Sequence, residues 1–64
     1  MAHRYQKQLE YIRNRPGQVT MAHFLADWGS KGAIAWLVLA KADLVCIKED
    51  GRLYLTDAGA NAIA

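Results

Sequence analysis

The pattern of apolar and polar positions predicts a helix at the start of the chain. Tyr5, Leu9 and Ile12 recur at i, i+4 and i+7, the spacing of one helix face. The polar side chains on the other face are Arg4, Lys7, Gln8 and Arg15. We expect this helix to end before Pro16, because proline disfavours helical geometry at the residue that precedes it.

Two further helices are predicted between residues 20 and 42. Thr20 suits the N-cap of the second helix, on which Met21, Leu25 and Trp28 share a face. Gly29 suits the left-handed position that ends such a helix. Ser30 is expected to cap the third helix, which extends to about residue 42. The positions expected to face inward on it are Gly32, Ala35, Trp36 and Leu39.

After residue 43 the pattern changes to that of two short strands around Glu49-Asp50-Gly51. A two-residue turn would mix apolar and polar side chains on both faces. A three-residue loop pairs Lys48 with Arg52 and places the apolar side chains on one face and the polar side chains on the other. The three-residue loop is therefore favoured. The inner face then holds Val45, Ile47, Leu53 and Leu55, and the outer face holds Cys46, Lys48, Arg52 and Tyr54.

The chain is expected to finish with a short helix that Thr56 caps. Asp57 suits the positive N-terminal end of this helix. The residues expected to pack inward from it are Ala58, Ala62 and Ile63. Residues 1–64 thus form one predicted domain of the α+β class, mainly α: a three-helix bundle with a C-terminal two-stranded β-hairpin and a short final helix.

Composition narrows the classes of protein that remain. Apolar residues make up 53% of the chain and charged residues 22%, which is typical of a globular domain. The apolar run over residues 32–40 is too short to span a bilayer, so no membrane association is expected. The polar N-terminus lacks the apolar core of a signal peptide, which favours a cytoplasmic protein. Cys46 is the one cysteine, so an intrachain disulfide is excluded.

The net charge of +2 is unevenly distributed along the chain. Residues 1–15 carry four basic side chains against Glu10, whereas the remainder carries four basic against five acidic ones. The positive field is therefore expected on the first helix. A protein that reads DNA usually concentrates such charge on the helix in the groove.

The order of elements resembles that of the winged helix-turn-helix family over nearly the whole chain. The stretch from Val19 to Ala26 is similar to the family's second helix, in which a Leu-Ala pair packs inward. Trp36 and Leu39, followed by Asp43-Leu44-Val45, resemble the end of its recognition helix and the entry to its wing. Leu55-Thr56-Asp57-Ala58-Gly59 is similar to the motif that closes many wings. The departures are Asp43, where the family usually has glycine, and a short wing with an acidic tip.

This resemblance implies a small DNA-binding protein. It would be a transcriptional regulator of phage or mobile-element type that binds double-stranded DNA as a dimer. The residues that it places at the DNA are Thr20, His23, Ser30, Lys31, Ile34, Lys41, Lys48, Arg52 and Tyr54. Between Lys31 and Lys41, however, the third helix carries none of the Arg, Asn or Gln side chains that read bases directly.

An apolar third helix also permits a protein-binding function. Its candidate interface is formed by Ala33, Ile34, Leu37 and Val38. This surface would dock on a second copy of the chain or on another protein, since large exposed apolar patches usually mark an interface. The alternative is that this helix is buried all round, as helices apolar on all sides usually are, and that Ile34, Leu37 and Val38 meet neighbours within the chain. A third hypothesis combines the two: dimerisation through this helix, and nucleic-acid binding along Arg4, Lys7, Arg13 and Arg15.

No pattern indicates an enzyme. His23 and Asp27 stand at i and i+4, but two ligands do not make a metal site. Cys46 has only Lys48 as a nearby basic residue on its face of the strand, which is typical of a plain strand cysteine. The sequence contains no catalytic triad and no glycine-rich phosphate loop. We therefore expect no cofactor, no metal and no small-molecule substrate.

Overall fold

The structure, a computed structural model, describes residues 3–64. Helices occupy most of the first two thirds of the chain, and an antiparallel hairpin and a short helix follow. The elements are α1 Gln6–Arg13, α2 Met21–Lys41, β1 Val45–Ile47, β2 Leu53–Leu55 and α3 Asp57–Ala62. The predicted mixed α+β class, mainly helical with a hairpin after the helices, is confirmed.

The first helix packs its predicted face inward. Leu9 and Ile12 are buried and Tyr5 is half-buried, as the i, i+4, i+7 spacing indicates. A reciprocal pair of hydrogen bonds precedes the helix, because the Gln6 amide donates to the His3 carbonyl and the His3 amide donates to Gln6 Oε1. This arrangement satisfies backbone groups that a helix start leaves unpaired.

Helix α2 consists of two helical segments that meet at a kink at Gly29, the predicted boundary between the second and third helices. Gly29 has φ 61° and ψ −142°, a combination that is essentially restricted to glycine. Helical geometry resumes directly at Ser30, so the prediction that Ser30 caps this segment from outside the helix is wrong. We call residues 21–28 the first arm and residues 30–41 the second arm. The expected positive φ is confirmed, but the junction is a sharp one-residue break, tighter than the usual three- or four-residue turn of a helix-turn-helix.

Phe24 is the residue that packs the first arm into the core. Phe24 is fully buried, whereas Leu25 is 37% exposed and Ala26 is exposed too. The expectation that the Leu25-Ala26 pair packs inward is therefore wrong. The reason is aromatic packing: the Tyr11 ring meets the edges of Phe24 and Trp28, with ring centroids 6.1 Å and 6.0 Å apart. Helical spacing of four between those two residues turns Leu25 away from the core.

The second arm packs as predicted. Gly32, Ala35 and Leu39 are buried, and Trp36 is half-buried with its ring edge against Phe24. Small residues at positions 32 and 35 let this arm approach its neighbours closely. The side of the second arm away from these residues is left uncovered by residues 3–64.

The hairpin has the predicted three-residue loop. The Lys48 amide donates to the Arg52 carbonyl over 3.1 Å, and Gly51 has φ 77°, the left-handed conformation that this loop requires. The inner face is only partly buried. Val45 and Leu53 are buried, but Ile47 is 54% exposed although its partner Leu53 is fully buried. Ile47 lies on β1, the outer strand of the sheet, whereas β2 lies between β1 and residues 19 and 20.

The link between α1 and α2 extends this small sheet. The Leu53 amide donates to the Val19 carbonyl over 2.7 Å, and an antiparallel bridge joins Thr20 to Arg52. The free edge of β2 is thus covered by residues 19 and 20. The same contact holds the hairpin against the N-terminal end of α2.

Thr56 and Gly59 join the final helix to the turn that precedes β1. Thr56 Oγ1 accepts from the Gly59 amide over 3.1 Å, which confirms the predicted cap, and donates to the Asp43 carbonyl over 2.6 Å. A Cβ at Gly59 would lie 1.9 Å from the Leu44 carbonyl oxygen. Gly59 and Ile63 are buried and Ala62 is half-buried, but Ala58 is exposed, so its predicted inward packing is wrong. Gly59 takes that position, because only a residue without a side chain fits there.

Asp43 has φ 60°, so it occupies the left-handed conformation in which the resembled family has glycine. This conformation costs a residue with a side chain roughly 1–2 kcal/mol, least for Asp and Asn. Asp43→Gly should therefore leave the free energy of unfolding unchanged or raise it by up to about 1 kcal/mol, whereas Asp43→Val should lower it by about 1–2 kcal/mol. Urea unfolding of both variants checks this. A glycine variant less stable than the valine variant would contradict it.

Candidate functional site

The uncovered side of the second arm is apolar at its centre. Leu37 is 70% exposed, Ile34 57% and Val38 46%, and Ala33 beside them is exposed. Burial of Gly32, Ala35 and Leu39 on the opposite side turns these residues outward. The four residues predicted as an apolar surface thus share one exposed face.

Polar residues stand at both ends of this face. Ser30, Ile34, Leu37 and Lys41 follow one another at spacings of three and four, so they form one stripe along the second arm. We call these four residues the stripe. Its ends lie about 16 Å apart at 1.5 Å per residue. Lys31 lies beside the stripe, and Ser30, Lys31 and Lys41 are all exposed.

The outer face of the hairpin is organised around Tyr54. Lys48 Nζ lies 4.5 Å from the centroid of the Tyr54 ring, close enough for a cation–π contact. The Tyr54 hydroxyl donates to Asp50 Oδ2 over 3.0 Å, and the Arg52 amide donates to Asp50 Oδ1 over 2.9 Å. The hydroxyl of Tyr54, which we expected at the DNA, therefore holds the hairpin tip.

These hydrogen bonds fix the charge of the tip. The hydrogen bond from the Arg52 amide, assisted by that from the Tyr54 hydroxyl, lowers the pKa of Asp50 below its ordinary value. The same contact with Asp50 raises the pKa of Tyr54. Asp50 thus stays ionised at neutral pH, and its negative charge offsets part of the positive charge of Lys48 and Arg52.

Thr20 and His23 lie where α2 begins. Thr20 Oγ1 accepts from the His23 amide over 3.2 Å, so the predicted N-cap is confirmed. The Thr20–Arg52 bridge places Arg52 next to this helix end. His23 is exposed and is the third residue of α2, within its first turn. Two of the three elements predicted at the DNA, the start of α2 and the hairpin, are therefore in contact.

Comparison with known proteins adds no relative. No family model matches the chain, and neither the curated proteins nor the solved structures contain a match. Support for a function therefore comes from the residues and geometry of the chain.

Within residues 3–64, no helix combines the length and apolar character needed to cross a membrane.

The structure separates the four basic residues in and beside α1 into two groups. Arg13 lies 3.7 Å from the Glu10 carboxylate and donates to the Ile63 carbonyl. The Arg15 guanidinium stacks over the Tyr11 ring at 4.2 Å. Arg4 and Lys7, in contrast, line a cleft with Lys31 of the second arm. The sequence placed all four basic residues on one face, and helical periodicity alone could not reveal this division.

Asp27 is engaged with α1. It accepts a hydrogen bond from the Tyr11 hydroxyl. This hydrogen bond is the main reason that the pKa of Tyr11 is raised, while the nearby Arg15 acts in the opposite direction. The contact ties the first arm to α1. Over the described part of the chain, His23 and Asp27 belong to no group of three or more metal-ligating side chains.

Proposed function

We propose that this chain is a winged helix-turn-helix domain that binds double-stranded DNA. In this proposal α1 and the two arms of α2 form a three-helix bundle, the second arm is the recognition helix, and the hairpin is the wing. The order of the elements supports it. So does the pairing of residues 19 and 20 with β2, which turns the hairpin into a three-stranded arrangement anchored at the start of α2.

The observation that carries the proposal is the stripe. The major groove is about 12 Å wide and admits one α-helix. A helix with Ser30 and Lys41 about 16 Å apart can reach phosphates at both sides of such a groove. Ile34 and Leu37 then face the base edges, where apolar side chains contact the methyl groups of thymine. We therefore propose a preference for A·T-rich duplexes with little further discrimination.

The wing adds little to the affinity for DNA in this arrangement. Lys48 and Arg52 are positioned to contact phosphates of the DNA backbone, but the ionised Asp50 lies among them and Glu49 is adjacent in the loop. Positive charge near the DNA therefore comes from only four side chains: Lys31, Lys41, Lys48 and Arg52. This limits how steeply binding depends on salt.

Salt dependence tests the proposal. Up to four phosphate contacts predict a slope of log K against log salt no steeper than about −4, or a loss of affinity of about 10- to 150-fold between 50 and 200 mM. Fluorescence anisotropy with a labelled A·T-rich duplex measures this. Lys41→Gln should weaken binding, while Arg13→Gln, which removes the same charge away from the stripe, should change it little. No binding at 50 mM salt, or equal effects of the two variants, would contradict the proposal.

A second candidate function is favoured by the exposure of Leu37 and Ile34. A surface with this apolar centre also fits a protein partner. A two-fold antiparallel pairing of two second arms would bring Lys31 and Lys41 of different copies close together. That arrangement places like charges beside each other. The occupant that fits better is another protein whose helix has an apolar face and acidic residues at both ends.

A synthetic amphipathic peptide separates this candidate from the first. If the second function is right, a helix with a leucine face and terminal glutamates binds the chain, and Leu37→Asp abolishes that binding. The same peptide with lysines in place of the glutamates should bind more weakly. DNA binding would then be absent at 50 mM salt. A chain that binds duplex DNA and ignores both peptides rules this candidate out.

A further inference from the structure

A cleft opens between the first turn of α1 and the start of the second arm. Its volume is about 550 Å³, and its walls come from residues of both elements. Three cationic side chains line it: Arg4, Lys7 and Lys31. Lys31 is far from Arg4 and Lys7 in the sequence, and the break at Gly29 brings it toward α1.

The cleft is positively charged. Among the described residues that line the cleft, Glu10 alone carries a carboxylate. This carboxylate also lies 3.7 Å from Arg13, which is outside the cleft. The cationic side chains therefore outnumber the anionic one. Several positive charges on the walls of a concave surface concentrate anions there, and Arg and Lys are the usual ligands of phosphate.

Trp28 supplies an aromatic surface at the same place, because it lines the cleft. Its indole Nε1 is buried and has no hydrogen-bond partner within residues 3–64. A nitrogen that water does not reach is also closed to a ligand in the cleft. Trp28 therefore meets a ligand through its indole ring, on which an aromatic ring can stack.

The walls of the cleft are held in place before any ligand binds. The hydrogen bonds between His3 and Gln6, together with one from the Tyr5 amide to His3 Nδ1 over 3.0 Å, fix the first turn of α1. The Tyr11 ring packs edge-on to Trp28. A preorganised site loses less conformational freedom on binding.

We propose that this cleft binds the phosphate group of a small aromatic ligand, of the mononucleotide class. Arg4, Lys7 and Lys31 hold the phosphate, and the indole ring of Trp28 stacks on the aromatic ring of the ligand. The site is separate from the stripe and does not depend on DNA binding. Because Lys31 also belongs to the proposed DNA contacts, a backbone phosphate of DNA is a second source of the same chemistry.

The indole resonance of Trp28 reports binding directly. We would titrate the ¹⁵N-labelled full chain with AMP at constant ionic strength, using Trp36→Phe to assign the two indole signals. The expected result is a saturable shift of the Trp28 signal at millimolar AMP. Arg4→Gln and Lys31→Gln should each weaken binding about tenfold, as expected for the loss of a charge-assisted contact. Lys41→Gln, which removes the same charge from the other end of the second arm, should leave it unchanged.

Two outcomes would overturn the proposal: no saturable shift with AMP, or equal weakening by Lys41→Gln. Competition with an unlabelled duplex then identifies the source of the phosphate. Displacement of AMP by the duplex, with the same loss in Arg4→Gln, assigns the cleft to a DNA phosphate. Persistence of AMP binding on the DNA-bound chain assigns it to the small ligand. Anisotropy measures DNA binding separately, so failure of one proposal is distinguishable from failure of the other.

Discussion

Replacing Gly59 with alanine is expected to remove a large part of the protein's stability. The new Cβ would lie 1.9 Å from the Leu44 carbonyl oxygen. The backbone fixes the position of the Cβ and the oxygen belongs to the backbone, so neither atom can rotate away. Forcing α3 outward would also strain the hydrogen bonds of Thr56 to Asp43 and Gly59. We expect a loss of about 3 kcal/mol or more, at the upper end of overpacking effects. A domain of this size has a total stability of only about 3–10 kcal/mol.

Circular dichroism during urea and thermal unfolding measures this loss. Ala58→Gly is the matched control, because residue 58 is exposed in the same short helix and loses only helix propensity, about 1 kcal/mol. Gly59→Ala should be clearly less stable than this control. A Gly59→Ala variant as stable as the wild type would show that α3 does not approach Leu44 as described.

Replacing Leu37 with glutamate is expected to remove DNA binding without unfolding the protein. Leu37 is 70% exposed and lies at the centre of the stripe, so a carboxylate there would face the base edges between two rows of phosphates. Lost apolar contact and new repulsion should together lower the affinity at least about tenfold, equivalent to about 1.4 kcal/mol. The melting temperature should change little, because exposed positions contribute little to stability.

The charge-matched control is Ala60→Glu, an exposed position on α3. Its affinity for the duplex should stay within about twofold of the wild type, the reduction expected from net charge alone. If Ala60→Glu weakened binding as much as Leu37→Glu, the effect would be one of overall charge and the stripe would have no special role. Anisotropy at a single low salt concentration is sufficient for this comparison.

Elements with a strong local signal were predictable from the sequence. The three-residue loop followed from separating apolar from polar side chains, and both threonine caps followed from residue type and position. The exposed apolar face of the second arm followed from a helix that is apolar on all sides in a chain too short to cover it. These inferences need only neighbours within a few residues.

Other features depended on packing between distant residues. Tyr11 sets which side of the first arm is buried, so Phe24 and not Leu25 faces the core. Ile47 is exposed because it lies on the outer strand of the sheet, whereas its partner Leu53 on the inner strand is buried. At the candidate site, the Asp50–Tyr54 hydrogen bond and the meeting of Arg4 and Lys7 with Lys31 depend on tertiary geometry. Periodicity places residues on faces but does not say which faces meet.

In the proposed function, the stripe of the second arm contacts DNA. Amide chemical shifts of the ¹⁵N-labelled chain during titration with an A·T-rich duplex test it most directly. We expect the largest changes at Ser30, Ile34, Leu37 and Lys41, with smaller changes at Lys48 and Arg52 and almost none along α3. Changes confined to other surfaces, or no change at all at 50 mM salt, would contradict the claim.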